Sequence, residues 1–131
     1  MPKQMRIRLM GILALLAAAS NGWAEVALTD GAELTGKWKL ESVAPGINKA
    51  RISENRVWEF RADGTIVTSG HNRILGGEDR YEWKYKIVDG RIVADDPGRP
   101  GRTIDYVVYE KTPDSMILKG GLEGFYFFRK Q

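Results

Sequence analysis

The chain of 131 residues contains no cysteine. That excludes a disulfide scaffold, a thiolate zinc site, covalently attached c-type haem, a Cys nucleophile and a lipid-modified N-terminal Cys. With a single histidine, there is little material for a His-rich metal site or a Ser-His-Asp triad. A charge imbalance is also missing once the first 24 residues are set aside. The 20 Lys and Arg exceed the 17 Asp and Glu by three, and Lys3, Arg6 and Arg8 supply that excess. Residues 25–131 are balanced in side-chain charge, so nothing in their electrostatics calls for nucleic acid as a partner. Past residue 24 no apolar run exceeds four residues, so no stable membrane insertion by a helix is expected there.

The first 24 residues have a tripartite layout. A basic stretch (1–8, MPKQMRIR) precedes an apolar run of 11 residues (9–19, LMGILALLAAA) and a polar end with small residues at Gly22 and Ala24. This is the secretory signal pattern, and the run is too short for a spanning helix, which needs about 20 apolar residues. We therefore expect a signal peptide over 1–24, a cut before Glu25 and one domain over 25–131, in the bacterial periplasm or secreted. A Cys-free exported chain also presents no free thiol to an oxidising compartment.

Asp30-Gly31 can start one short helical turn, but downstream of residue 36 the hydrophobic period is 2. Eight strand candidates follow, at 36–43, 55–61, 64–70, 79–88, 90–95, 102–111, 115–119 and 124–130. The clearest has Tyr81, Trp83, Tyr85 and Ile87 alternating with Glu82, Lys84 and Lys86, one face for a core and one for water. Asp89-Gly90 then suits a two-residue type I′ hairpin that sets Ile87 opposite Ile92. Longer links (44–54, 71–78, 96–101, 120–123) alternate with tight turns, so an up-and-down meander puts all the long links at one end. Closure removes its edge strands. The expected fold is all-β, a small eight-stranded antiparallel up-and-down barrel with a plain end and an elaborated mouth. The inward set is read as Trp38, Leu40, Trp58, Phe60, Ile66, Tyr81, Trp83, Tyr85, Ile87, Ile92, Ile104, Tyr106, Val108, Leu118, Phe125 and Phe127. So many rings leave a narrow lumen mostly filled.

Leu34-Thr35-Gly36-Lys37-Trp38, Trp58-x-Phe60 with Asp63-Gly64-Thr65, and Phe125-Tyr126-Phe127-Phe128-Arg129-Lys130 occur in an order and spacing that resemble small bacterial lipocalin-like domains of the calycin superfamily. The resemblance implies that Gly36 and Trp38 form the structural motif at the closed end and that Arg129 packs over Trp38. The chain is shorter than classical lipocalins and lacks their C-terminal helix and disulfide.

His71 could act as a base with Glu78 or Asp79, but no nucleophile stands at a suggestive spacing, and catalysis needs several groups in named roles. Asp95-Asp96 offers two side chains where calcium wants six or more oxygens. We assign no catalytic residue, metal or cofactor, and read the chain as a binding protein rather than an enzyme. The expected ligand is small and apolar or amphipathic, held at the mouth by His71, Arg73, Leu75, Tyr81 and Trp83. The alternative is a protein partner: Ala32 to Trp38 also resembles the opening of bacterial metalloprotease inhibitors, which implies Glu25 to Leu28 as the working segment. Mass measurement of the exported protein should give a chain beginning at Glu25; one retaining Met1, or starting beyond Thr29, would refute the leader.

Overall fold

A computed structural model describes residues 26–131; the expected leader and its cut lie outside the described residues. A 3₁₀ turn, Gly31–Glu33, precedes eight strands: β1 (Gly36–Ala44), β2 (Ile52–Phe60), β3 (Thr65–His71), β4 (Glu78–Val88), β5 (Arg91–Asp95), β6 (Thr103–Lys111), β7 (Ser115–Gly120) and β8 (Gly124–Lys130). Each pairs antiparallel with the next, and β8 returns to β1, closing the barrel. The links 45–51, 72–77, 96–102 and 121–123 gather at one end, and the tight turns gather at the other. No helix among the described residues is long and apolar enough to cross a membrane.

The local signals act as their chemistry requires. Asp30 caps the 3₁₀ turn by accepting from the Ala32 amide at 2.9 Å. Asp89 and Gly90 take positive φ (51° and 77°) and bring Ile87 opposite Ile92. Gly90 has a second reason to lack a side chain, because a Cβ there would stand 2.8 Å from that of Ala27. That approach closes a gap left by the short β5. The end of β6 has no β5 residue beside it, and the chain's opening segment fills the place, with the Val26 amide donating to Val108 and the Leu28 amide to Gly90. Leu28 and Leu34 are buried there, and Trp38 Nε1 donates to the Leu34 carbonyl at 2.8 Å.

Two bulges decide which side chains face inward. Between Leu40 and Ser42 the β1 register shifts: against β8 Glu41 is an extra residue, whereas against β2 the extra residue lies on β2, between Arg56 and Ser53. The inward series therefore runs Trp38, Leu40, Val43 instead of continuing to Ser42. Tyr109 is the extra residue between Val108 and Glu110, so Lys111 follows Val108 toward the barrel end, its ammonium 5.5 Å from the Trp38 ring.

Most of the expected inward set forms the core, with three exceptions. Phe125 and Phe127 lie on the outer wall, because β8 pairs Leu40 with Phe128 and Val43 with Tyr126 and so turns Tyr126 and Phe128 inward. Phe125 packs edge-on to Tyr109, and Phe127 lies beneath the Arg51 guanidinium at 3.8 Å. Tyr81 reaches the mouth, 47 % exposed.

The same parity corrects Arg129. Trp38 pairs with Lys130, not Arg129. Lys130 places its ammonium 4.7 Å over the Trp38 ring and donates to the Thr35 carbonyl at 2.8 Å, while Arg129 points outward toward Glu41. Gly36 (φ 125°) opens β1 directly beneath that ammonium, where a Cβ would collide with it. The cation over the barrel floor is a lysine from the last strand, one residue on from the expected arginine.

Trp58 is the central ring, with its centroid 5.2–6.4 Å from those of Phe60, Trp83, Tyr106, Tyr126 and Phe128. The lumen is filled at mid-height by this cluster. Trp38→Ala should cost about 3–5 kcal/mol, as emptying a buried aromatic site does. Arg129→Ala should stay within about 0.5 kcal/mol as a surface change. Urea melts of both variants check this; a larger loss at Arg129 than at Trp38 would contradict the parity.

Candidate functional site

On two neighbouring walls the inward residues change character toward the mouth. Along β2 they are Phe60, Trp58, Arg56 and Glu54; along β4 they are Ile87, Tyr85, Trp83, Tyr81 and Asp79. Rings fill the lower positions and charges take the top. Between the two walls, β3 offers Thr68 and then Gly70. The Arg56 guanidinium reaches over β3, donating to the Gly70 and His71 carbonyls, to Thr68 Oγ1 and to Asp79 at 2.6 Å.

Asn72 organises the adjoining loop. Its Oδ1 accepts from the Ile74 and Leu75 amides, and its Nδ2 donates to Asp79 at 2.7 Å. This Asx turn leaves Ile74 and Leu75 exposed, 76 % and 81 %, with Ile74 at the cavity's edge. The hydrogen bond from Asn72, joined by the Arg56 guanidinium, holds the Asp79 carboxyl below its ordinary pKa.

Arg73 reaches across the opening. Nε donates to Glu54 and Nη2 to Glu123, each at 3.1 Å. It therefore ties the 72–77 loop to the start of β2 and to the 121–123 turn. The hydrogen bond to Glu54 and the two carboxylate charges keep its guanidinium more firmly protonated than usual, although partial burial opposes this.

Below these ion pairs lies a cavity of about 230 Å³ whose lining includes Leu40, Trp58, Ile74, Tyr81, Trp83 and Tyr126 as well as the charged groups above. Its floor is the filled core, where burial raises the Tyr106 and Tyr126 phenols above their ordinary pKa and keeps them neutral. A second hollow at the same end, about 500 Å³, lies between Asp96–Arg99, Thr103–Asp105 and Gly121–Leu122. Its Asp96 carboxylate is already engaged by Arg99 at 2.7 Å and by the Gly98 amide. Few convergent polar groups remain there to orient a ligand.

The sequence-derived site is brought together in part. Arg73, Tyr81 and Trp83 line the cavity. His71 sits on the rim, half exposed, 3.9 Å from Glu78, and Leu75 points away while its neighbour Ile74 lines the wall. Sequence reasoning missed Arg56 and Asn72. Arg56 was legible as the residue two before Trp58 and hence on the same face, whereas Asn72 needed the geometry of its turn. The lining holds no Ser, Cys or His, and the Thr68 hydroxyl is occupied by Arg56. Among the described residues, no group of three or more His, Cys, Asp or Glu is arranged to hold a metal.

No family model matches the chain, and neither does any curated protein. Two solved structures share its fold. A lipocalin-like protein from Bacteroides uniformis superposes with a TM-score of 0.57 at 19 % identity, covering 76 % of this chain and 99 % of its own. An uncharacterized protein from Bacteroides eggerthii gives 0.53 at 20 % identity, covering 74 % and 98 %. The barrel is lipocalin-like in fold.

Because the Asp79 carboxyl is depressed when folded, its contribution to stability is full above the ordinary aspartate value of 3.8 and is lost as pH falls through the lower folded value. Asp79→Asn should therefore flatten the acid limb of a stability-against-pH curve below about pH 4. Urea midpoints of the two proteins at several acid pH values check this; parallel curves would contradict it.

Proposed function

We propose that this lipocalin-like barrel is an exported binding protein, acting in the bacterial periplasm or outside the cell, that holds a small amphipathic molecule at its mouth and does no chemistry on it. One observation carries the reading. The only part of the described lumen where rings and charges converge on a space of about 230 Å³ is the end where the four long links meet. Ligand sites pair apolar walls with a few placed polar groups, and they sit on loops held by a rigid scaffold. Here Trp58 and Trp83 supply the walls, and Arg56, Arg73 and their carboxylate partners supply the polar groups. The space is smaller than that of drug-sized ligands, so the ligand is small. Export rests on the leader alone.

Support for the protease-inhibitor alternative is weak on one specific point. Val26 and Leu28 are hydrogen-bonded into the barrel wall, and Leu28 is buried, so the segment that would have to enter a protease cleft is tied into the closed end.

Native mass spectrometry of the protein recovered from its own cell envelope tests the reading. The expected result is a small-molecule adduct that Trp83→Leu and Arg73→Ala lose and that Lys37→Ala, at the closed end, retains. A bare chain, or an adduct indifferent to both mouth substitutions, would refute it.

A further inference from the structure

The charged groups at the mouth do not balance. The cavity is lined by three carboxylates (Glu54, Asp79 and Glu123) and two guanidinium groups (Arg56 and Arg73). Asp79 is committed through both oxygens, one to Arg56 and one to Asn72. Glu54 and Glu123 must share Arg73, and each accepts from it through one oxygen only. The second oxygen of each accepts no hydrogen bond among the described residues, and no buried side-chain oxygen or nitrogen there lacks a partner. Those two oxygens are therefore open to the cavity or to water. The Glu54 side chain is only 9 % exposed, so its charge is poorly screened by solvent.

The guanidinium groups offer an anion little. Arg56 Nη1 is taken up by Asp79 and two main-chain carbonyls, and Nη2 binds Thr68. Arg73 directs Nε and Nη2 at its two carboxylates. Arg73 Nη1 donates to no other described residue, but an entering carboxylate or phosphate would add a fourth negative group to a lining that already holds three carboxylates against two guanidinium groups. A cation meets the opposite situation: one unbalanced negative charge, two open carboxylate oxygens, and below them the rings of Trp58, Tyr81, Trp83 and Tyr126, whose faces attract positive charge.

We infer that the ligand is an organic monocation, an amine or quaternary ammonium on a short apolar body, with its charge at the open oxygens of Glu54 and Glu123 and its body against Trp83 and Trp58. This deepens the mouth-binding reading and rests on it. The size follows from the space, which equals about seven or eight water volumes at roughly 30 Å³ each. That room suits a single ring or a short chain and excludes a long acyl tail.

Three probes of similar size and different charge test the inference: 2-phenylethylammonium, 2-phenylethanol and 3-phenylpropanoate, each titrated at constant ionic strength and followed by indole emission. The ammonium should bind at least about ten-fold more tightly than the alcohol, with the carboxylate weakest. Glu54→Gln and Glu123→Gln should each narrow the ammonium-to-alcohol ratio while leaving alcohol binding within about two-fold, and unchanged urea midpoints would show that both variants remain folded. Added salt should weaken the ammonium more than the alcohol. If the alcohol binds as well as the ammonium, or the carboxylate binds best, the charge assignment is overturned and the mouth site stands. If none of the three binds, the mouth site falls, and this inference falls with it.

Discussion

The pairing of β1 with β8 is the constraint on which the rest of the molecule depends. It closes the barrel, and its register fixes which side chains of β1 and β8 share the lumen. The bulge at Glu41 is part of that pairing. It lets Trp38 and Leu40 share a face with Val43, so the β1 wall stays apolar along its whole inner length. Without the extra residue, Ser42 would follow Leu40 inward. The Tyr109 bulge performs the same shift on β6 and delivers Lys111 to the neighbourhood of Trp38. Two cations thus cover one indole at the closed end, and the only buried nitrogen of that indole is satisfied by the Leu34 carbonyl.

Above that floor, Trp58 divides the interior. Five rings surround it at contact distance, and edge-to-face pairs of this kind add about 0.5–1.5 kcal/mol each beyond their buried area. The filled middle leaves space only near the mouth, where side chains become polar because the barrel wall approaches water. The charged residues there are costly to bury unless paired, and Arg56 and Arg73 accordingly pair with the carboxylates of Asp79, Glu54 and Glu123. The site is preorganised as a result: Arg73 links three separate loops and strands through two contacts, and Asn72 shapes its loop while also holding Asp79.

The two ends carry different tasks for a geometric reason. Tight hairpins leave no residues to spare at the closed end, and the one long piece of chain there, the segment from Val26 to Leu34, is used to cover the lower half of β6 and cap the core. β4 is longer than β5, so Glu78–Lys84 has no strand beside it on the β5 side. The outward charges Arg80, Glu82 and Lys84 protect that edge from pairing with another chain. Variation is left to the mouth.

Period-2 alternation, the Asp89-Gly90 turn and the alternation of long and short links were sufficient to derive the closed up-and-down barrel, because side-chain period and hairpin geometry are local properties of the chain. Arg73, Tyr81 and Trp83 could be placed at the mouth on the same grounds. Parity past residues 41 and 109 could not be read in this way. A bulge needs one extra residue and no special side chain, so nothing in Glu41 or Tyr109 announces it. Phe125, Phe127 and Arg129 were assigned to the wrong face for a different reason: the last hairpin link is 121–123, three residues, which sets Leu118 opposite Tyr126, whereas a four-residue link would set it opposite Phe125. The Arg56–Asp79–Asn72 network and the bridging position of Arg73 were also beyond the sequence. They join residues 7 to 50 positions apart: the pairing of β2, β3 and β4 brings Arg56, Asn72 and Asp79 together, and closure of the sheet brings Glu123 to Arg73. The sequence by itself determined the strands, their order and the filled lumen; the registers of strand pairing, closure among them, decided which charges meet over it, because a one-residue shift exchanges the two faces of a strand.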